Sequence, residues 1–197
     1  MADVAFKGSA TREAMRLTAW DARLFDGVVS GDGELRWGAQ WSFSGSIVGR
    51  GVNAAVLAPA LLSAGKAEAK GRFSMTGANP GALQQAARLD GAFTISKGVL
   101  GSFDLSRGIQ TKGKQSSGRT IFAELSGEGV YQAGAVSLRN LNMGAGKLNA
   151  AGTLDIAQSG ELNGRVVADV ESGPRAINET FSLVGTLKEP RLIKFAR

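Results

Sequence analysis

The sequence repeats a strand-sized phrase in which apolar or glycine residues alternate with polar ones, and this two-residue period constrains the fold more than any other feature. Between Leu148 and Ile156 the even positions are Leu148, Ala150, Gly152, Leu154 and Ile156, while the odd ones are mostly polar. Leu162, Gly164, Val166, Ala168 and Val170 repeat the phrase against Asn163, Arg165, Val167 and Asp169. Phe181, Leu183, Gly185 and Leu187 do so against Ser182, Val184, Thr186 and Lys188. An earlier copy sets Trp41, Phe43, Gly45, Ile47 and Gly49 against Ser42, Ser44, Ser46 and Val48. A chain built this way forms half-buried strands with one apolar face. The expected fold class is therefore mainly β: a long curved antiparallel sheet (a meander, trough or partly closed sandwich) with two or three short helices.

Composition narrows the functional classes. The chain has 197 residues, room for a single domain or for two modest lobes, and 28 of them are glycine, about twice ordinary usage. There is no Gly-X-Y period and only 4 prolines, which argues against collagen and low-complexity disorder. Histidine and cysteine are both absent, so His-based triads, Cys nucleophiles, zinc clusters and thiol redox chemistry are excluded. No catalytic residue, metal or cofactor is called for. The net charge of +6 invites an anionic partner, but most of the Lys and Arg residues are single and spaced along polar strand faces. The one local basic excess runs from Arg107 through Lys112 and Lys114 to Arg119, read either as a solvated loop or as a headgroup or anion contact. Nothing points to nucleic acid. No stretch approaches the roughly 18 apolar residues of a membrane-spanning helix, and the opening residues do not form a signal peptide.

Along the chain, Asp26-Gly27 is expected to turn a hairpin, and Trp37 and Trp41 flank a short turn that allows a cross-strand aromatic contact. Asn53 is a fair N-cap for a short helical stretch at about 53–64, interrupted by Pro59. Asn79-Pro80 opens a second at about 79–89 with proline at the first helical position. Residues 102–108 read as a helical turn that Asp104 can cap, and 109–118 as a flexible basic loop. This divides the chain into an N-terminal β-rich region (1–108), the loop, and a C-terminal β-meander (119–197), within one continuous domain that is a fragment of a longer protein. Turns in the meander are expected at Gly127-Glu128-Gly129, Gly144-Ala145-Gly146, Gln158-Ser159-Gly160 and Ser172-Gly173-Pro174.

The apolar face must be covered. Five ten-residue strands present a face on the order of 600–800 Å², and leaving half of it wet costs roughly 8–10 kcal/mol, as much as the stability of a whole domain. An opposing sheet, a lipid-like ligand or more of the same protein can cover it. The strand-centre glycines Gly45, Gly152, Gly164 and Gly185 lie on that face and favour a curled trough over a flat slab. The candidate groove residues are Phe43, Ile47, Leu148, Leu154, Ile156, Leu162, Val166, Val170, Phe181, Leu183 and Leu187, with Lys112, Lys114 and Arg119 as candidate headgroup or anion contacts.

Several phrases resemble the C-terminal region of AsmA-like proteins. The run from Trp20 to Gly31 is similar to a characteristic strand pair of that family, and Gly51-Val52-Asn53 leads into a Leu-rich turn like its next element. The segment Asp90-Gly91-Ala92-Phe93 through Gly101-Ser102-Phe103-Asp104-Leu105 resembles its central motif. Phe181-Ser182-Leu183-Val184-Gly185-Thr186-Leu187-Lys188-Glu189-Pro190 resembles its closing one. The resemblance spans roughly Leu17 to Leu192. It implies a periplasmic module held at the inner membrane by an N-terminal helix absent from this chain, with an apolar β-trough involved in phospholipid transport or outer-membrane biogenesis. Its expected partners are phospholipid or acyl chains and, through the full-length protein, the two membrane surfaces.

Three other readings compete. A structural or adhesive β-sandwich or solenoid module closes its apolar face on itself. An outer-membrane barrel fragment predicts aromatic girdles, whereas Tyr131 is the single tyrosine and the last residue is Arg197. A carboxylate-only enzyme would draw on Asp21 with Asp26 or Asp32, residues that otherwise read as turn and surface acids.

Overall fold

The computed structural model describes residues 4–172 and 175–195. They form a single antiparallel sheet of twelve strands in which every strand pairs with its sequence neighbours, in the order β1 to β12. The strands are β1 (Val4–Ala10), β2 (Ala14–Leu24), β3 (Gly27–Arg36), β4 (Trp41–Asn53), β5 (Leu62–Gly77) and β6 (Arg88–Leu100), followed by β7 (Thr120–Gln132), β8 (Ala135–Ala145), β9 (Leu148–Ile156), β10 (Glu161–Ser172), β11 (Arg175–Thr186) and β12 (Pro190–Lys194). Three short helices interrupt them: α1 (Ala54–Leu57), α2 (Pro80–Gln85) and α3 (Leu105–Gln110). The sheet is open, since β1 and β12 do not pair. This is the mainly β meander that alternation predicts.

Register carries the apolar face across strand after strand. Leu154 lies opposite Leu138 on β8 and Gly164 on β10, and Gly152 opposite Leu141 and Val166. Glycine facing a branched side chain lets the strands approach and curl. A Cβ at Gly152 would collide with the Arg165 carbonyl oxygen and meet the Val166 Cα at 3.3 Å, so no side chain fits between these strands. The face packs into one core that includes Val29, Ile95, Phe122, Leu148, Ala168, Phe181 and Leu192. Phe122 and Phe181 are 1 % exposed.

Each helix begins on the predicted cap. The Asn53 side chain accepts from the Ala55 N–H (3.1 Å), Asn79 from Ala82 (3.0 Å) and Asp104 from Arg107 (2.9 Å). The first two helices are much shorter than the expected 53–64 and 79–89. Leu62 already begins β5 and Arg88 begins β6, because both segments are claimed by sheet pairing, Leu62 with Leu100 and Arg88 with Gln132. The basic segment 109–118 begins inside α3, and the Gly113 N–H then donates to the Gly108 carbonyl (2.8 Å).

The turns differ more. Gly127-Glu128-Gly129 is no turn: it lies within β7, where Gly127 faces Phe93 and Gly129 faces Gly91. A Cβ at Gly127 would come within 2.7 Å of the Leu141 side chain, so this glycine makes room inside the sheet. The chain turns instead at Ala133-Gly134, where both residues have positive φ (48° and 84°), the backbone of a two-residue hairpin. Likewise Phe25 and Asp26 form the β2–β3 turn, and Gly27 opens β3. The expected turn at Gly144-Ala145-Gly146 falls one residue later, at Gly146-Lys147. Gly173 and Pro174 of the last expected turn lie outside the described residues. Trp37 and Trp41 do meet across their turn, with ring centroids 6.2 Å apart.

Candidate functional site

Antiparallel succession gives the sheet two ends. Call the upper end the one that carries the β2–β3 turn, α1, α3 and the β8–β9 turn; α2 and the β7–β8, β9–β10 and β11–β12 turns lie at the lower end. From β6 to β12 the apolar face encloses a cavity of about 690 Å³. Leu138, Leu141 and Met143 of β8, Leu154 and Ile156 of β9, Val166 of β10 and Leu183 of β11 line its wall. At the upper end it is bounded by Leu57 to Leu62 and by Phe103 and Leu105 of the β6–β7 connection. Of all the lining side chains only Thr153 and Gln158 are polar, and none is charged. A volume of this size is typical of small-molecule sites, and such a lining recognises hydrocarbon and excludes ions.

The segment 101–119 packs against the upper end of the trough. Phe103, Leu105 and Ile109 are buried, and Gly108 is so close to Leu192 that an added Cβ would meet its side chain at 3.4 Å. Thr120 fastens this helix to the sheet. Its hydroxyl donates to the Phe103 carbonyl (2.8 Å) and accepts from the Leu105 N–H (2.9 Å). It is the one buried polar side chain among the described residues, and it is fully satisfied there.

The candidate groove residues separate into three groups. Leu154, Ile156, Val166, Leu183 and Leu187 line the cavity. Leu148, Leu162 and Phe181 are buried in the core and Val170 packs against it, so these four share the face of the lining residues but are covered by core packing. Phe43 and Ile47 sit on the same sheet face but in the N-terminal half. Phe43 packs edge-on against Phe73 with centroids 4.7 Å apart, away from the cavity. Lys112, Lys114 and Arg119 are all exposed on the outer side of the 101–119 segment. Sequence reasoning missed Phe93, Leu138, Leu141 and Met143 as lining residues, and it missed the α1–β5 connection. Alternation in β7 and β8 is broken by register shifts at Ser126/Glu128 and at Leu138/Leu141, which hide the stripe.

The acidic residues serve the polar face. Asp26 accepts from the Asn53 side-chain amide (3.1 Å), and Asp32 accepts from the Ser46 hydroxyl. Asp21 is exposed opposite Ser30, so the three carboxylates hold separate structural positions. Asp155 is held below the usual carboxylate range, chiefly by the Ser137 hydroxyl at 2.7 Å and then by the Arg139 guanidinium at 2.7 Å. This cluster lies on the face opposite the cavity, where Ser137 and Asp155 are register partners. No helix among the described residues is long and apolar enough to cross a membrane. No protein-family model matches the chain, and neither a curated protein nor a solved structure does.

Proposed function

We propose that this chain is an AsmA-like, non-catalytic module of the periplasm whose apolar trough holds phospholipid acyl chains in transit between the inner and outer membranes, or during outer-membrane biogenesis. The supporting observation is a 690 Å³ cavity whose lining has two polar side chains and no charge, on a curled sheet that leaves it unfilled by its own residues. Burying about ten methylenes there gains roughly 8 kcal/mol before association costs. The phrases from Trp20 to Gly31 and from Phe181 to Pro190 supply the family reading, and with it the periplasmic location and attachment to the inner membrane.

Native mass spectrometry with lipid extraction on protein purified from bacteria tests this. Wild type is expected to carry phospholipid in stoichiometric amount, and the Leu154→Asp/Val166→Asp variant to lose it while circular dichroism stays β-rich. Ala150→Phe fills some of the cavity with carbon and keeps the proposal testable if the double variant fails to fold; it too is expected to lose lipid. A folded, monomeric, lipid-free wild type refutes the proposal and favours a structural or adhesive module.

A further inference from the structure

The two ends of the sheet differ in a way the trough alone does not require. Every described connection between β7 and β12 has two to four residues, yet β6 and β7 are joined by 19. Leu100 and Thr120 are register partners, so a two-residue turn would have closed that hairpin. The extra chain carries Arg107, Lys112, Lys114 and Arg119 against a single acid, Asp104, whose carboxylate is engaged as the cap of α3. All four cations are exposed, and none takes part in the ion pairs found among the described residues. Toward the lower end several cations are paired, Arg36 with Glu34 (2.9 Å), Arg139 with Asp155 (2.7 Å) and Arg191 with Glu189 (3.8 Å), and the exposed cations outside these pairs, such as Arg12 and Lys188, stand singly in separate turns rather than clustered in one segment.

Exposed apolar side chains follow the same polarity. Phe25 at the tip of the β2–β3 turn is 47 % exposed, Val56 and Leu57 of α1 are 49 % and 56 %, and Ile121 beside Arg119 is 77 %. Toward the lower end the exposed large hydrophobics among the described residues are Leu89 (38 %) and Tyr131 (39 %). The upper features adjoin one another. Asn53 at the start of α1 donates its N–H to the Phe25 carbonyl (2.8 Å), and the Gly101 N–H opening the 101–119 segment donates to Leu61 (2.9 Å). Unpaired cations interleaved with projecting hydrophobics are the pattern of an interfacial membrane contact.

We infer that the upper rim docks on an anionic phospholipid bilayer, with Phe25, Val56, Leu57 and Ile121 entering the interface and Arg107, Lys112, Lys114 and Arg119 on the headgroups. Docking places the end of the trough that α1 and α3 bound against the membrane, so lipid enters or leaves there. The second statement rests on the lipid-trough proposal; the first does not.

Flotation with vesicles of 30 % phosphatidylglycerol in phosphatidylcholine tests the docking. Wild type is expected to bind these and not pure phosphatidylcholine, and to release in high salt. Lys112→Gln/Lys114→Gln/Arg119→Gln is expected to weaken binding roughly 100-fold, about fivefold per charge. Val56→Ser/Ile121→Ser should weaken it about tenfold or more, and Leu89→Ser at the other end should leave it unchanged. Wild type that does not float, floats equally on neutral vesicles, or is unaffected by the upper-rim variants overturns the docking. Transfer of cis-parinaric acid from protein to vesicles reads the delivery: it is expected to accelerate with phosphatidylglycerol in wild type and not in the triple variant. A protein that takes up no probe refutes the lipid trough, and flotation still decides the docking.

Discussion

Gly98→Ala tests whether the core at the upper end of β6 and β7 is close-packed or merely apolar. Gly98 is buried and faces Phe122 across the β6–β7 ladder. A Cβ added there would lie 2.8 Å from Cε1 of the Phe122 ring and closer still to Cζ and Cε2, well inside the optimal carbon separation of about 3.5–4.0 Å. The ring is 1 % exposed in a densely packed core and has no solvent-side space to move into. Overpacking of this kind costs about 3 kcal/mol; replacing a strand glycine by alanine returns roughly 0.5–1 kcal/mol of backbone entropy. The net loss is about 2 kcal/mol, equivalent to a fall in Tm of roughly 4–8 °C for a chain of this size. Phe122→Ala alone should cost about 3–5 kcal/mol. In the double variant the new methyl occupies space the ring vacated, so the two effects should fall short of additivity by at least about 1.5 kcal/mol. Urea unfolding followed by tryptophan fluorescence, with the slope checked for constancy, gives all four corners of the cycle. A neutral or stabilising Gly98→Ala, or additivity within about 0.5 kcal/mol, would refute the packing argument.

Two further outcomes follow from the geometry. Thr120→Val removes the hydroxyl that bridges Phe103 and Leu105 and leaves a buried Leu105 N–H unpaired. It should cost about 1–3 kcal/mol and raise hydrogen exchange first in residues 105–110, whereas Asp104→Ala, which loses only the cap, should cost about 1 kcal/mol. Asp155 has a lowered pKa, so its contribution to stability is present above the ordinary carboxylate value of 3.8 and is lost as pH falls through the depressed one. Its side chain is 46 % exposed, which keeps that contribution below about 1 kcal/mol. A carboxyl-carbon NMR titration should show Asp155 protonating at lower pH than an ordinary aspartate, and Arg139→Gln should move that step upward.

Which residues of β9, β10 and β11 face the core, and where each helix starts, could be read from the amino-acid order alone; in β7 and β8 the register shifts hid the stripe. Alternation is local, because consecutive strand residues must point to opposite faces. Leu154, Val166 and Leu183 were therefore legible as one stripe without knowing which strands pair. The caps at Asn53, Asn79 and Asp104 were legible for the same reason, since a side chain bonding to an N–H two or three residues ahead is local chemistry. What each glycine does was settled by the folded sheet. Gly127 and Gly134 look alike in sequence, yet one makes room for Leu141 inside β7 and the other turns the chain with a positive φ. The folded sheet also set where the apolar face stays uncovered. Phe43 and Leu154 carry the same signal, but Phe43 is spent against Phe73 while Leu154 lines open space. That difference arises from how far the sheet curls and where the 101–119 segment lands, and both depend on side-chain volumes meeting across strands far apart in sequence.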